Sequence, residues 1–179
     1  MTRSPVLVVF SGLPGTGKST IARQLAPRIA AAWLRIDTIE QGIRDSGAVR
    51  GRVGDGGYRA AYGVAADNLQ SGLSVVADCV SDCALTRNAW RDVGLEAGAQ
   101  VVEVEVVCAD SDEHRRRVEE RAAEVRGLVL PTWAEIVARP YEPWDRDRLV
   151  IDTAHLTPDQ CVAVILARLW TPPERAGAT

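Results

Sequence analysis

Residues 12–19 read Gly-Leu-Pro-Gly-Thr-Gly-Lys-Ser, a G-x-x-x-x-G-K-S loop, and its flanks leave it few ways to fold. Before it, Val6-Leu7-Val8-Val9-Phe10 is an unbroken apolar run, as a strand buried on both faces requires. After it, Ile21, Leu25 and Ile29 recur at helical spacing, with Ala22 and Ala26 beside them. Strand, glycine loop and helix together form a phosphate cradle. Gly12, Gly15 and Gly17 let the backbone turn N–H groups onto phosphate oxygens, and the helix N-terminus adds partial positive charge. Pro14, Thr16 and Thr20 complete the nucleotide-binding stretch. Lys18 is expected to reach the β and γ phosphates, and the Ser19 hydroxyl to ligate Mg²⁺. Lys+Arg is 21, and Lys18 is the single lysine, kept where a compact ammonium is needed. Pro27 should bend or shorten the helix that follows.

Along the rest of the chain, short apolar strands alternate with helical segments. Strands are predicted over 6–11, 32–36, 74–78, 100–108 and 149–152, and helices over 18–30, 38–45, 58–71, 84–97, 111–124 and 158–170. The last helix has its start signals: Thr157 as N-cap, Pro158 in the first turn and Gln160 as capping partner. This alternation calls for a parallel sheet with helices on both faces, in one domain over 1–179. Residues 47–57 hold five glycines and read as a loop; residues 126–148 hold three prolines and should carry a short helix near 132–138. The tail beyond Trp170 is expected to fray.

Several function classes are disfavoured. With 24 acids against 21 bases, net charge −3 argues against a nucleic-acid partner, although a local basic face stays open. No apolar run approaches the ~20 residues that span a bilayer, and the first one is too short for a signal peptide, so a soluble cytoplasmic protein is expected. Cys79, Cys83, Cys108 and Cys161 form no C-x-x-C pair and take no ligand spacing with His114 or His155, so free thiols are expected rather than structural zinc. A guanine-reading Asn-Lys-x-Asp is absent, because the one lysine is already used. The strand Val75-Val76-Ala77-Asp78 lacks the second acid of a motor ATPase.

The loop at 12–20, a second strand running to Asp37, a third ending at Asp78, an arginine-rich helix and Val-Ile-Asp-Thr-Ala at 150–154 together resemble the small P-loop kinases. The relatives in view are the chloramphenicol phosphotransferase and zeta toxin group and the AAA-domain predicted kinases, with shikimate, gluconate and adenylylsulfate kinases as cousins. The resemblance covers nearly the whole chain. It implies a three-layer α/β P-loop fold, a five-stranded parallel sheet of order 2-3-1-4-5, and a lid over residues 122–147. It implies transfer of the γ-phosphate of ATP, with Mg²⁺, to a hydroxyl of a small molecule such as a sugar, cyclitol, nucleoside or hydroxylated antibiotic. Asp37 would contact the acceptor hydroxyl, Arg117 would lie against adenine, Arg121 would reach the phosphates, and Arg126 would be a second lid arginine. Many such kinases carry D-x-x-R from this aspartate; here the fourth position is Glu40.

Each of these residues also has a plainer reading. Asp37 is either the base that takes the hydroxyl proton or a helix N-cap. Asp78 holds Mg²⁺ through water, binds substrate, or caps a helix. Arg87 reaches the same pocket or sits on a solvated helix face. Residues 110–126, with six acids and five arginines, form i,i+4 ion pairs, supply cations to the γ-phosphate, or both. Trp133 and Trp144 cover the site or pin the lid to the core, and Tyr58 and Tyr62 read as core. From a different class, a nucleotide-dependent switch with no acceptor fits the same loop. A pocket at the second and third strand ends, holding Asp37 and Asp78 together beside the loop, is what separates kinase from switch.

Overall fold

The computed structural model describes residues 4–170; the tail expected to fray lies outside them. Twelve elements follow in order: β1 (Val6–Ser11), α1 (Lys18–Arg28), β2 (Ala31–Arg35), α2 (Ile36–Asp45), α3 (Gly56–Gln70), β3 (Ser74–Asp78), α4 (Ala84–Glu96), β4 (Gln100–Val107), α5 (Ser111–Glu120), α6 (Trp133–Val137), β5 (Leu149–Asp152) and α7 (Pro158–Trp170). All strand pairs are parallel and the order is β2-β3-β1-β4-β5, as expected from the resemblance. β1 lies in the middle, with Val8 opposite both Val76 and Val102. That position explains its unbroken apolar run, since both of its faces are covered. Val8 and Phe10 pack with Ile21 and Leu25 of α1 and Ile165 of α7. On the opposite face, Leu7 and Val9 pack with Ala61 and Ala65 of α3 and Trp90 of α4.

The caps act as the sequence suggests. Thr157 and Gln160 form the reciprocal pair before α7, at 2.8 and 3.3 Å. Asp110 accepts from the N–H groups of Asp112 and Glu113, both at 3.0 Å, and starts α5. Tyr58 and Tyr62 belong to the core, with Tyr62 edge-on to Trp90 at 4.7 Å.

Several boundaries differ from expectation, each for a local reason. α1 stops at Arg28 rather than residue 30, because Pro27 sits in its last turn and Ala30 turns left-handed at φ 51°. β2 ends at Arg35 and α2 begins at once, so Ile36 is helical rather than extended. α5 ends at Glu120, four residues early. Its C-cap Arg121 is extended, and Glu124 bonds to Arg35 at 2.8 Å instead of continuing the helix. On β4, Glu103 and Glu105 are buried on one face of the sheet. Arg146 grips Glu103 with two hydrogen bonds at 2.8 and 2.6 Å, and Arg148 holds Glu105 at 2.8 Å. Trp144 lies among Arg87, Arg146 and Arg148, which makes it a pin between this stretch and the sheet.

Candidate functional site

The loop between β1 and α1 passes over the carboxyl edge of the sheet. Gly12 has φ 131°, and a Cβ there would lie 2.2 Å from the Val106 carbonyl oxygen. At Gly15, φ is 87° and a Cβ would meet Val118 of α5 at 2.5 Å. Neither position has room for a side chain, so β4 and α5 press the loop into shape from outside. Gly17 is the N-cap of α1 and supplies no side-chain cap, which leaves the first N–H groups of the helix open to an anion. Lys18 Nζ and Thr16 Oγ1 donate to the Leu13 carbonyl at 2.8 and 2.9 Å. The Pro14 carbonyl accepts from His114 Nε2 at 2.9 Å, and the Thr16 carbonyl from Thr153 Oγ1 at 2.9 Å.

Beside the loop, four charged groups from separate segments influence one another. Burial pushes the Lys18 ammonium down to about 8, while Asp78 and Asp37 hold it up and Arg121 lowers it further. Asp78, at the end of β3, is buried. Desolvation raises its pKa, opposed by the Lys18 charge and by the adjacent Ser19 hydroxyl. Trp33 Nε1 donates to it at 3.3 Å, and Arg35 Nε lies 3.9 Å away. Asp37 stands exposed in the first turn of α2. The N-cap of that helix is Arg35, so Asp37 does not fill the cap position, and it has no hydrogen-bond partner among the described residues. Arg121 is half-buried with Nε and Nη2 shielded from solvent and unpartnered; burial lowers its pKa and Asp37 opposes that shift. A cavity of about 520 Å³ is lined by Trp33, Arg35, Thr38, Ile39, Glu124 and Arg126 among others; Asp37 and Asp78 do not line it, although their neighbours Thr38 and Arg35 do. Arg126 is exposed on its rim and has no ionic partner among the described residues.

On the other side of the loop, Gly17, Thr20, Arg117, Thr153 and Leu156 line a smaller cavity of about 200 Å³. Arg117 is fixed there by Glu113 at 2.7 Å and by the Thr153 hydroxyl and carbonyl at 2.9 and 3.0 Å. Arg87 lines neither cavity, and it is buried rather than on a solvated helix face. It is 1% exposed and donates to the carbonyls of Ser81, Glu142 and Pro143 at 2.9, 2.8 and 3.1 Å, against the face of Trp144. Its donors are spent on holding the 141–148 stretch. Glu40, in place of the usual arginine, pairs with Arg44 at 2.9 Å and packs over Gly57 of α3. Arg35, His114 and Thr153 escaped the sequence reading. His114 lies one turn before Val118 on the inward face of α5, and Thr153 follows the strand-end aspartate, but neither spacing alone marks a role.

Ser19 and Asp78 offer hard oxygen donors next to the phosphate loop, as Mg²⁺ requires when phosphates and water complete its shell. Among the described residues no three His, Cys, Asp or Glu side chains form a metal cage, and no helix is long and apolar enough to cross a membrane.

The AAA domain family profile matches residues 7–140. The uncharacterized protein Rv2004c of Mycobacterium tuberculosis is 30% identical over 160 residues, covering 83% of this chain. The chain spans about a third of the length of that curated relative, 32%. Among solved structures, the APS kinase CysC of Mycobacterium tuberculosis, in complex with AMPPNP and APS, superposes with a TM-score of 0.72 at 22% identity, covering 94% of this chain and 99% of its own. A gluconokinase from Sinorhizobium meliloti superposes at 0.63 and 20% identity, covering 93% and 94%. At these identities the likeness is one of fold.

Proposed function

Because this chain belongs to the AAA domain family and has the small P-loop kinase fold, we propose that it transfers the γ-phosphate of ATP to a hydroxyl of a small molecule. The observation that carries this reading is the convergence of Lys18, Asp37, Asp78 and Arg121 at one strand edge, with the Asp37 carboxylate outside the cap position. A nucleotide switch has no use for an exposed carboxylate that influences both the phosphate-loop lysine and an arginine with two unpartnered nitrogens. The acceptor would lie in the cavity lined by Trp33, Arg35, Thr38 and Arg126.

In this reading the Gly12–Ser19 backbone and Lys18 hold the β and γ phosphates, and Arg117 packs against adenine in the smaller cavity. Ser19 and Asp78 would hold Mg²⁺, which supplies charge neutralisation of the phosphates when bound. Asp37 orients the acceptor hydroxyl and accepts its proton at a carboxylate oxygen. The bond from the acceptor oxygen to the γ-phosphorus forms as the bond to the β,γ-bridging oxygen breaks, and ADP leaves with that electron pair. Arg121 gives its free N–H groups to the migrating phosphoryl oxygens. The stretch over 122–147 acts as the lid, with Arg126 facing the acceptor cavity. The compartment that fits an ATP-dependent metabolic step of this kind is the cytoplasm. An ATP-consumption screen over sugars, cyclitols, nucleosides and hydroxylated antibiotics tests the reading. At least one acceptor should raise ADP release well above the acceptor-free rate and appear as a phosphate ester. Nucleotide turnover that no acceptor stimulates would favour the switch.

A further inference from the structure

The carbonyls of the phosphate loop are held by side chains from within the loop and from outside it. The Leu13 carbonyl is taken by Lys18 and Thr16, from within the loop itself. Two further peptide units are held from outside: the Pro14 carbonyl by His114 of α5, and the Thr16 carbonyl by the Thr153 hydroxyl after β5, which shares its proton with the Val107 carbonyl at 3.1 Å. A carbonyl oxygen only accepts, so His114 Nε2 must carry a proton there. The imidazole is 6% exposed, stands edge-on to Trp133 of α6 with centroids 5.1 Å apart, and lies 3.3 Å from where a Cβ on Gly15 would be. It therefore has no space to swing. In a trans peptide the C=O and the following N–H point in opposite directions. Drawing the Pro14 carbonyl outward onto His114 thus turns the Gly15 N–H inward, and drawing the Thr16 carbonyl onto Thr153 does the same for the Gly17 N–H. The one unit whose carbonyl is bonded by loop residues is Leu13–Pro14, the unit with no N–H to offer.

We propose that His114 is a positioning residue for nucleotide binding: by holding the Pro14 carbonyl it aims the Gly15 N–H at the nucleotide phosphates, with Thr153 acting likewise on Gly17. The inference rests on the ATP-binding reading above. It predicts a loss confined to the phosphates, which a role in packing alone does not. His114→Phe keeps the ring against Trp133 and loses the donor. His114→Gln loses the ring but carries an amide N–H at about the reach of Nε2. Calorimetric titration of the full chain with ATP and with adenosine separates the cases. His114→Phe should weaken ATP about tenfold, the scale of one lost hydrogen bond, and leave adenosine unchanged. His114→Gln should recover most of the ATP affinity. If His114→Phe binds ATP as the parent does, or if ATP and adenosine weaken together, His114 is a packing residue and the inference fails. Failure of the parent chain to bind ATP at all would instead overturn the nucleotide reading itself.

Discussion

Asp37 and Lys18 show how placement decides chemistry for single residues. An aspartate at the start of a helix can be a cap, and the sequence favours the catalytic role only through its place at a strand C-terminus. Here α2 starts straight out of β2, the cap position falls to Arg35, and the Asp37 carboxylate is left unbonded within reach of the Lys18 and Arg121 charges. Asp37→Asn keeps the shape but cannot take a proton. Acceptor phosphorylation should therefore fall by ~10²–10⁴, the usual worth of general-base assistance, while ATP affinity holds. A rate close to the parent's would remove Asp37 from the mechanism. Lys18 gives a pH signature. Its folded pKa of about 8 lies below the ordinary 10.5 because the ammonium is buried. Between these values the unfolded chain binds the proton and the folded chain does not, so this group makes the free protein more stable as pH rises. Nucleotide phosphates reverse the preference, since they favour the charged form. Above about pH 8, ATP binding should take up a proton and weaken by up to about tenfold per pH unit. Titration calorimetry in buffers of different ionisation enthalpy reads that proton directly. Uptake that persists unchanged in Lys18→Met would place it elsewhere.

α5 shows how one element serves two purposes that its composition mixes together. Arg115 pairs with Glu119, and Arg116 with Glu113 and Glu120, on the solvent side. His114, Arg117, Val118 and Arg121 occupy the other face, against the phosphate loop and the two cavities. The ion-pair reading of the arginine cluster holds on the solvent face, and the inward face carries the residues proposed to meet the nucleotide. The helix period was legible in the sequence, but which face turned inward depended on Gly15 packing against Val118, a contact over a hundred residues apart in the chain. The same limit explains the other gaps. Strand ends at Ser11, Asp78 and Asp152 came directly from apolar runs. The early end of α5 came from Glu124 bonding to Arg35, and the burial of Glu103 and Glu105 depended on arginines 43 residues later. The burial of Arg87 was not legible because its three carbonyl acceptors lie on loops whose path no local pattern records. Arg121 is the C-cap of this helix and keeps Nε and Nη2 unpartnered, which the proposed transfer would use. Arg121→Ala should lower kcat by ~10²–10³, as loss of one preorganised donor does, with a much smaller change in ATP affinity. If affinity falls and single-turnover chemistry does not, Arg121 binds the ground state only.

At the scale of the whole molecule, the sheet order explains why the free protein holds unfinished electrostatics. With β1 central, flanked by β3 and then β2, the loop, Asp78 and Asp37 arrive on the same edge, and α5 brings Arg121 across from the other side. Lys18 and Asp78 are buried there, and two Arg121 nitrogens are shielded without partners. Each of these groups costs the fold some stability by desolvation, which Lys18 and Asp78 offset in part for each other, and under the proposed function a polyphosphate with Mg²⁺ would add further counter-charge. Binding to the folded state alone must then raise stability by linkage, by about 2.7 kcal/mol at ~100 times the dissociation constant. For a chain of this size, that corresponds to a rise in melting temperature of roughly 5–10 °C. Lys18→Ala removes the cation proposed to meet the β and γ phosphates and should abolish most of that rise. The free variant need not melt lower than the parent, because it no longer buries an ammonium. The comparison that matters is therefore each protein with and without ATP and Mg²⁺. A shift as large in Lys18→Ala as in the parent would mean that the nucleotide binds somewhere other than the Gly12–Ser19 loop.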